Sequence, residues 1–279
     1  MTQDKAQDGK LRELLRLMAC LRDPQGGCPW DLQQNFASIA PHTVEEVYEV
    51  IDAIERNDLE HLPEELGDLL FQVVFYARLG EEAGLFDFET IAGRIVDKLL
   101  QRHPHVFPDA TLASFGRRGA LAAEDVGSQW EAIKAAEREA RQQDASILAD
   151  VPLALTALLR AAKLQKRAAR QGFDWPDADG VLDKLQEETQ ELQQARAAEN
   201  SADVAEEYGD LLFTVVNLGR HLGVEAETAL RAANRKFERR VRAMETLLQM
   251  QGLTLGELDA QQLDACWRQV KGSEKSSGK

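Results

Sequence analysis

Cysteine is scarce. The chain has three in 279 residues, Cys20, Cys28 and Cys266. Thiols so spaced form neither a disulfide framework nor a CxxC ligand pair, and they suit a reducing compartment. No run of 18 apolar residues occurs, so no membrane span is expected, and the polar first ten residues lack the apolar stretch of a signal peptide. A cytoplasmic location is the expectation. Positive charge is also in deficit: 33 Lys and Arg stand against 48 Asp and Glu, for a net charge of -15 and a pI near 4.9. So acidic a chain is poorly suited to nucleic acid or an anionic membrane surface. It remains suited to a small anionic ligand, because Mg2+ bridges carboxylates to phosphates. Walker, GxGxxG and HExxH motifs are missing. None of the five histidines lies three residues after a glutamate, so the Glu-x-x-His pattern of di-iron bundles is missing too. Apolar residues make up 44%, enough for a core.

What is present is a repeat. Thr43 to Glu49, then Glu64-Glu65-Leu66-Gly67-Asp68-Leu69-Leu70-Phe71, is answered by Leu185 to Glu191, then Glu206-Glu207-Tyr208-Gly209-Asp210-Leu211-Leu212-Phe213. Glu46 to Glu188 and Asp68 to Asp210 share one offset of 142 residues. Trp30 and Trp175 echo each other with a small slip, as do Lys98-Arg102 and Lys236-Arg240, and Trp130-Lys134 and Trp267-Lys271. A period this long means two copies of one domain rather than a solenoid. The expected division is 1–145 and 146–271, followed by a disordered Ser/Gly/Lys tail at 272–279.

Each copy reads as helices, so the fold class is all-α, a tandem duplication. Apolar residues at 11, 14, 15, 18 and 21 keep a helical period. Residues 23–41 read as a long connection punctuated by Pro24, Gly26, Gly27 and Pro29. Thr43 then reads as an N-cap with Glu46 completing a capping box, and Pro63 suits the first turn of the next helix. Helices are expected at 64–79 and 88–102, a loop at 104–120, and a polar helix at 121–142. In the second copy they are expected at 152–171, 178–198, 202–222, 225–250 and 258–270. Gly172 stops the first of these, and Thr254 with Glu257 caps the last.

The acidic residues carry most of the functional signal. Positions three or four apart share a helix face, so Glu46 and Glu49 on one helix and Glu65 and Asp68 on the next can meet between two antiparallel helices. In the second copy the set is Glu188, Glu191, Glu207 and Asp210. Gathered carboxylates repel unless a cation sits among them, and oxygen-only ligation suits Mg2+, with Mn2+ as an alternative. A glutamate-rich face is by default only solvated. Repetition of the same spacing, with Asp beside the most apolar part of each helix, argues for a task. Gly67 and Gly209 either permit close helix approach or are tolerated at about 1 kcal/mol each.

Lys98 and Arg102, like Lys236 and Arg240, stand one turn apart. Two roles fit them: contacts to a phosphate-bearing ligand, or cations favouring a helix C-terminus. Trp130 and Trp267, each four residues before a lysine, fit either stacking on a base or packing as anchors. Trp30 and Trp175 sit at loops, where they are expected to plug the end of the bundle.

The sequence resembles the MazG family of nucleoside triphosphate pyrophosphohydrolases from about Leu11 to Lys271. The resemblance is carried by Asp23-Pro24, Gly27-Cys28-Pro29-Trp30-Asp31, Glu45-Glu46 with Glu49, Glu65 with Asp68, and Arg102-His103-Pro104-His105-Val106-Phe107. In the second copy it is carried by Lys163, Lys166-Arg167, Gly172-Phe173-Asp174-Trp175-Pro176, Glu187-Glu188 with Glu191, Glu207 with Asp210, and Asn234 with Phe237-Glu238-Arg239-Arg240. It implies Mg2+-dependent hydrolysis of nucleoside triphosphates to monophosphate and pyrophosphate, and a helical bundle completed in a homodimer. It also implies metal ligation by Glu46, Glu49, Glu65 and Asp68 and by Glu188, Glu191, Glu207 and Asp210, the second set being catalytic. Lys236 and Arg240 map to phosphate contacts, and Trp267 and Lys271 to a pair that closes over the nucleotide. Copy two lacks an equal of the 23–41 connection, and its flank is richer in Lys163, Lys166 and Arg167. The unequal connections imply that one copy alone has an open pocket, and the cationic flank favours copy two as the principal site. Nothing in the sequence reads the base, so broad specificity is expected. The alternatives are a narrow dUTP or dCTP pyrophosphatase and a non-enzymatic, nucleotide-binding dimeric scaffold.

Overall fold

The structure is a computed structural model that describes residues 4–116, 126, 129, 130, 133 and 146–277. Among them are ten α-helices and two short 3-10 turns, with no strand. The chain divides into two units, Met1–Arg141 and Gln142–Lys279. Most of the polar helix expected at 121–142, including Lys134, lies outside the described residues.

The first unit contains α1 (Asp4–Leu21), α2 (Pro29–Gln33), α3 (Phe36–Glu55), α4 (Leu62–Glu82) and α5 (Phe88–Arg102). The start of α3 differs from the expectation. Its cap is Asn35, whose Oδ1 accepts from the Ala37 and Ser38 amides at 2.9 and 3.1 Å, while Ser38 Oγ accepts from the Asn35 amide at 2.9 Å. Pro41 lies inside the helix. There it withholds a single N–H, a loss the surrounding packing absorbs. Thr43 is therefore an interior residue whose hydroxyl meets Tyr76 Oη at 2.9 Å, and Glu46 closes no capping box. Pro63 does sit in the first turn of α4, and α5 has the expected bounds. The pairs Thr43–Tyr76 and Glu46–Gln72 run in opposite senses along α3 and α4, so the two helices form an antiparallel hairpin. Met18, Ile39, Val74, Phe75 and Leu79 form the core. Arg22, 6% exposed, seals its edge: it donates to Glu82 at 2.7 Å and to the Asp31 carbonyl, and its guanidinium lies 5.3 Å from the centre of the Phe75 ring.

The second unit contains α6 (Ala157–Ala169), α7 (Ala178–Ala197), α8 (Ser201–His221), α9 (Ala226–Gln249) and α10 (Ala260–Ser277). Gly172 has a φ of +81°, which favours glycine, just beyond α6. Helices α7 and α8 pack together as α3 and α4 do; α6 lies against α8 and α9, and α9 against α10. The box of Thr254 and Glu257 forms, but it caps a 3-10 turn at Leu255–Glu257 rather than α10. The expected disordered tail is helical as far as Ser277. Glu274 anchors it by accepting from Arg239 at 3.0 Å and Arg240 at 2.9 Å, contacts that outweigh a local Gly-Ser composition.

Both hairpins leave an apolar stripe uncovered. Leu66 and Leu70 are exposed on α4; Tyr208, Leu212 and Val215, at matching repeat positions or one turn on, are exposed on α8. Gly67 and Gly209 border these stripes, and a Cβ at either would meet nothing within 4 Å. Within each unit, then, they mediate no close helix approach.

Candidate active site

The α7–α8 hairpin gathers Glu188, Glu207 and Asp210. One carboxylate oxygen from each lies within 4.8 Å of the others, and no other such group of three occurs among the described residues. Helical spacing accounts for the convergence: Glu207 and Asp210 share a face of α8, and packing turns that face to α7. Glu188 is only 5% exposed. Its Oε1 accepts from Lys184 Nζ at 2.9 Å, while its Oε2 is buried without a hydrogen-bond partner. An unpartnered carboxylate oxygen of this kind is costly unless something else satisfies it. The Glu207 carboxyl is pushed above its usual range, first by burial and then by Glu191, Glu188 and Asp210. Glu191 thus belongs to the field of the site but lies outside the tight triad. Lys184 is pushed up by Glu187 and Glu188, both of which it meets within 2.9 Å.

This donor set fits a divalent cation. It offers three carboxylates, one with an orphaned oxygen, and its negative charge is only partly offset by Lys184. Such hard oxygen donors suit Mg2+ or Mn2+.

The first unit is organised differently. Glu46 is pushed up by burial, then by Glu49 and Asp68, so these three sense one another. Gln72 donates to Glu46 Oε1 at 3.2 Å, where the second unit has Thr214 at the matching position. Glu65 belongs to no group of three converging ligand oxygens.

The expected phosphate-contacting residues are distributed over three helices. Lys163 and Lys166 are exposed on α6, Lys236 on α9 and Lys271 on α10, while Arg167 is half-buried. Arg240 is held by Glu274 and lies 5.5 Å from the Trp267 ring, which also packs on Phe237 at 5.7 Å. Arg240 and Trp267 therefore form one cluster. In the first unit Trp130 packs edge-on against His103 at 4.9 Å, Lys98 is exposed and Arg102 half-buried. Trp30 is 50% exposed and does not plug the bundle; Trp175 packs against Gly180, where a Cβ would come 2.8 Å from its ring.

Sequence reasoning passed over Lys184. The signal was available, since a lysine three and four residues before Glu187 and Glu188 shares their face. It named Asp174 within a motif but missed its pairing with Arg220 and, at 3.1 Å, with His221 Nε2. Burial pushes the Asp174 carboxyl up, but Arg220 and His221 outweigh it and hold it low. A separation of 46 residues gives no local signal for that pair.

An all-α duplication with a carboxylate cluster on a helical hairpin defines a class of site whose donors could hold a cation. Comparison with known proteins narrows the class. The profile of the MazG nucleotide pyrophosphohydrolase domain matches residues 34–107 and again 177–244. The nucleoside triphosphate pyrophosphohydrolase of Escherichia coli K12 is 48% identical over 267 residues, covering 95% of this chain and 98% of its own. The Thermotoga maritima nucleoside triphosphate pyrophosphohydrolase/pyrophosphatase MazG is 40% identical over 264 residues, covering 95% and 96%. A Mycobacterium tuberculosis nucleoside triphosphate pyrophosphohydrolase is 35% identical over 147 residues, covering 52% of this chain and 41% of its own. The chain belongs to the MazG nucleotide pyrophosphohydrolase family, and thus to the hydrolases. No helix among the described residues is long and apolar enough to cross a membrane.

Proposed function

We propose that the second unit hydrolyses nucleoside triphosphates, ribo- or deoxyribo-, to the monophosphate and pyrophosphate. The observation that carries this reading is the Glu188–Glu207–Asp210 cluster with its orphaned, buried Glu188 oxygen. Those three residues, with Glu191 beside them, would hold Mg2+ or Mn2+. When bound, the cation supplies charge neutralisation and Lewis acidity toward phosphate oxygens and the attacking water. The chain's own groups do the positioning. Glu191 faces the cluster without joining the triad, which leaves it available to orient a water or accept its proton. Lys163, Lys166, Arg167 and Lys236 supply cationic charge for the polyphosphate tail. Arg240 is pre-set by Glu274, and Trp267 and Lys271 extend that cluster along α10. Attack at the α-phosphorus makes pyrophosphate the leaving group.

The second unit is the principal site and the first is a supporting copy, consistent with the looser gathering of Glu46, Glu49, Glu65 and Asp68. The uncovered stripes on α4 and α8 support pairing of two chains into a homodimer, since leaving such apolar faces in water forfeits about 25 cal/mol per Å2. Incubation with nucleoside triphosphates and Mg2+, followed by product separation, tests the activity. Monophosphate plus pyrophosphate supports it. Diphosphate plus phosphate, or saturable binding without turnover, refutes it.

A further inference from the structure

Arg240 is assigned above to the phosphates, yet in this structure a carboxylate already holds it. Glu274, in the last turn of α10, accepts from Arg240 Nε at 2.9 Å through Oε2. Arg240 Nη2 lies 2.9 Å from the same oxygen. Its other oxygen, Oε1, accepts from Arg239 Nε and Nη2 at 3.1 and 3.0 Å. One carboxylate thus spans two adjacent guanidiniums. On Arg240 it occupies the Nε–Nη2 edge, the fork that a phosphate group takes side-on. The Arg240 and Glu274 side chains are only 17% and 27% exposed, so solvent screens this pair less than an open surface pair. Glu274 is held below its ordinary range, first by Arg240 and then by Arg239, and is therefore charged at neutral pH.

The sequence writes this register twice. Trp267, Lys271 and Glu274 stand four and then three residues apart, and Trp130, Lys134 and Glu137 repeat the spacing. Three and four residues apart is one helix face. A carboxylate set on that face beside Lys271, and reaching Arg240, opposes the binding of any anion there. As an anchor for α10 alone it would sit in a poor place, since the site it borders needs its cations free. As a temporary partner for Arg240 it is well placed, because it keeps the guanidinium fixed and its charge satisfied until a ligand arrives.

We propose that Glu274 is an internal stand-in for phosphate: it occupies Arg240 in the free protein, yields it to the incoming triphosphate tail, and reclaims it as pyrophosphate leaves. This rests on the pyrophosphohydrolase reading, which assigns Arg240 to the phosphates, and adds a competitor built into the chain. A polyphosphate brings more charge and more acceptor oxygens than one carboxylate, so it displaces Glu274. The exchange weakens every phosphate ligand that uses Arg240, substrate and pyrophosphate alike. Ground-state binding is thereby looser and product release easier.

Two variants test it. Glu274→Gln keeps the length of the side chain and an acceptor oxygen but removes the charge; Glu274→Ala removes both. The probe is inorganic pyrophosphate with Mg2+, titrated by calorimetry, and its inhibition of ATP turnover gives the kinetic counterpart. An ion pair of this exposure corresponds to about fivefold in a dissociation constant. Both variants are expected to bind pyrophosphate about fivefold more tightly and to show a lower KM for ATP without a higher kcat. Unchanged or weaker binding overturns the proposal, because a residue that only anchors α10 gives that sign when Trp267 and Lys271 loosen. In an Arg240→Gln background the gain should vanish. A gain that persists there is general relief of negative charge, and it too overturns the exchange. If the unaltered protein releases no pyrophosphate from any nucleoside triphosphate, the hydrolase reading fails, and the calorimetric cycle of Glu274 with Arg240 still decides the exchange. Failure of both the parent and Glu274→Gln to bind pyrophosphate ends it.

Discussion

Replacing Asp210 by asparagine separates a cation site from an ordinary structural carboxylate, because the two predict opposite signs. Asp210 and Glu188 have oxygens within 4.8 Å of each other. Two unit charges at that distance repel by about 3 kcal/mol at an effective dielectric of 20, and by about 1 kcal/mol in water. Asp210 is exposed, so the lower figure applies. Without divalent cation, Asp210→Asn should therefore melt no lower than the parent, and up to about 2–4 °C higher. A doubly charged ion loses roughly twice that attraction, about 2 kcal/mol, so Mg2+ affinity should fall about thirtyfold or more. Thermal melts across a Mg2+ titration, paired with pyrophosphate release, read both quantities. The variant should hold its melting point in chelator, lose most of the Mg2+-induced rise, and lose turnover. A lower melting point in chelator, together with an undiminished Mg2+ response and near-parental turnover, would refute the assignment.

Other outcomes follow from the same physics. Asp68→Asn in the first unit should leave pyrophosphate release unchanged while Glu188→Gln abolishes it, as measured by steady-state rates. Glu207, whose carboxyl is pushed up, is best tolerated below the ordinary value of 4.5, and its stability contribution is lost as pH rises through the raised value. Cation binding competes with that proton, so the Mg2+-induced rise in melting temperature should shrink on acidification before ordinary carboxylates titrate. Glu82→Gln leaves Arg22 buried without its counter-charge and should destabilise the protein by about 2–4 kcal/mol in urea unfolding. Glu82 is held low, chiefly by Arg22, so its contribution is complete above 4.5 and lost as pH falls through the lower, folded value. The parent should therefore show an acid-induced loss of stability that Glu82→Gln lacks.

Much of the fold was legible because duplication doubles the signal. The acidic spacing, the bounds of α5 and the stop at Gly172 all follow from local pattern. The start of α3 did not, because Pro41 resembles a break although a helix tolerates it where packing holds the flanks. Ser38, in reach of Asn35, was the cap signal hidden behind it. The C-terminal extension of α10 depends on Glu274 reaching Arg239 and Arg240, a tertiary contact that composition does not encode. Convergence of Glu188, Glu207 and Asp210 was readable from periodicity. The unequal gathering in the two units was not, since the acidic motifs match and the difference lies in neighbours such as Gln72 and Thr214.

Lys184 gives the hairpin a counter-ion of its own. An ammonium within 2.9 Å of Glu188 is already in place when the chain folds. Part of the charge gathered in the acidic cleft is thus offset from within the same helix. On the proposed metal reading, a cation would enter beside a tethered lysine, at the oxygen of Glu188 that Lys184 leaves open.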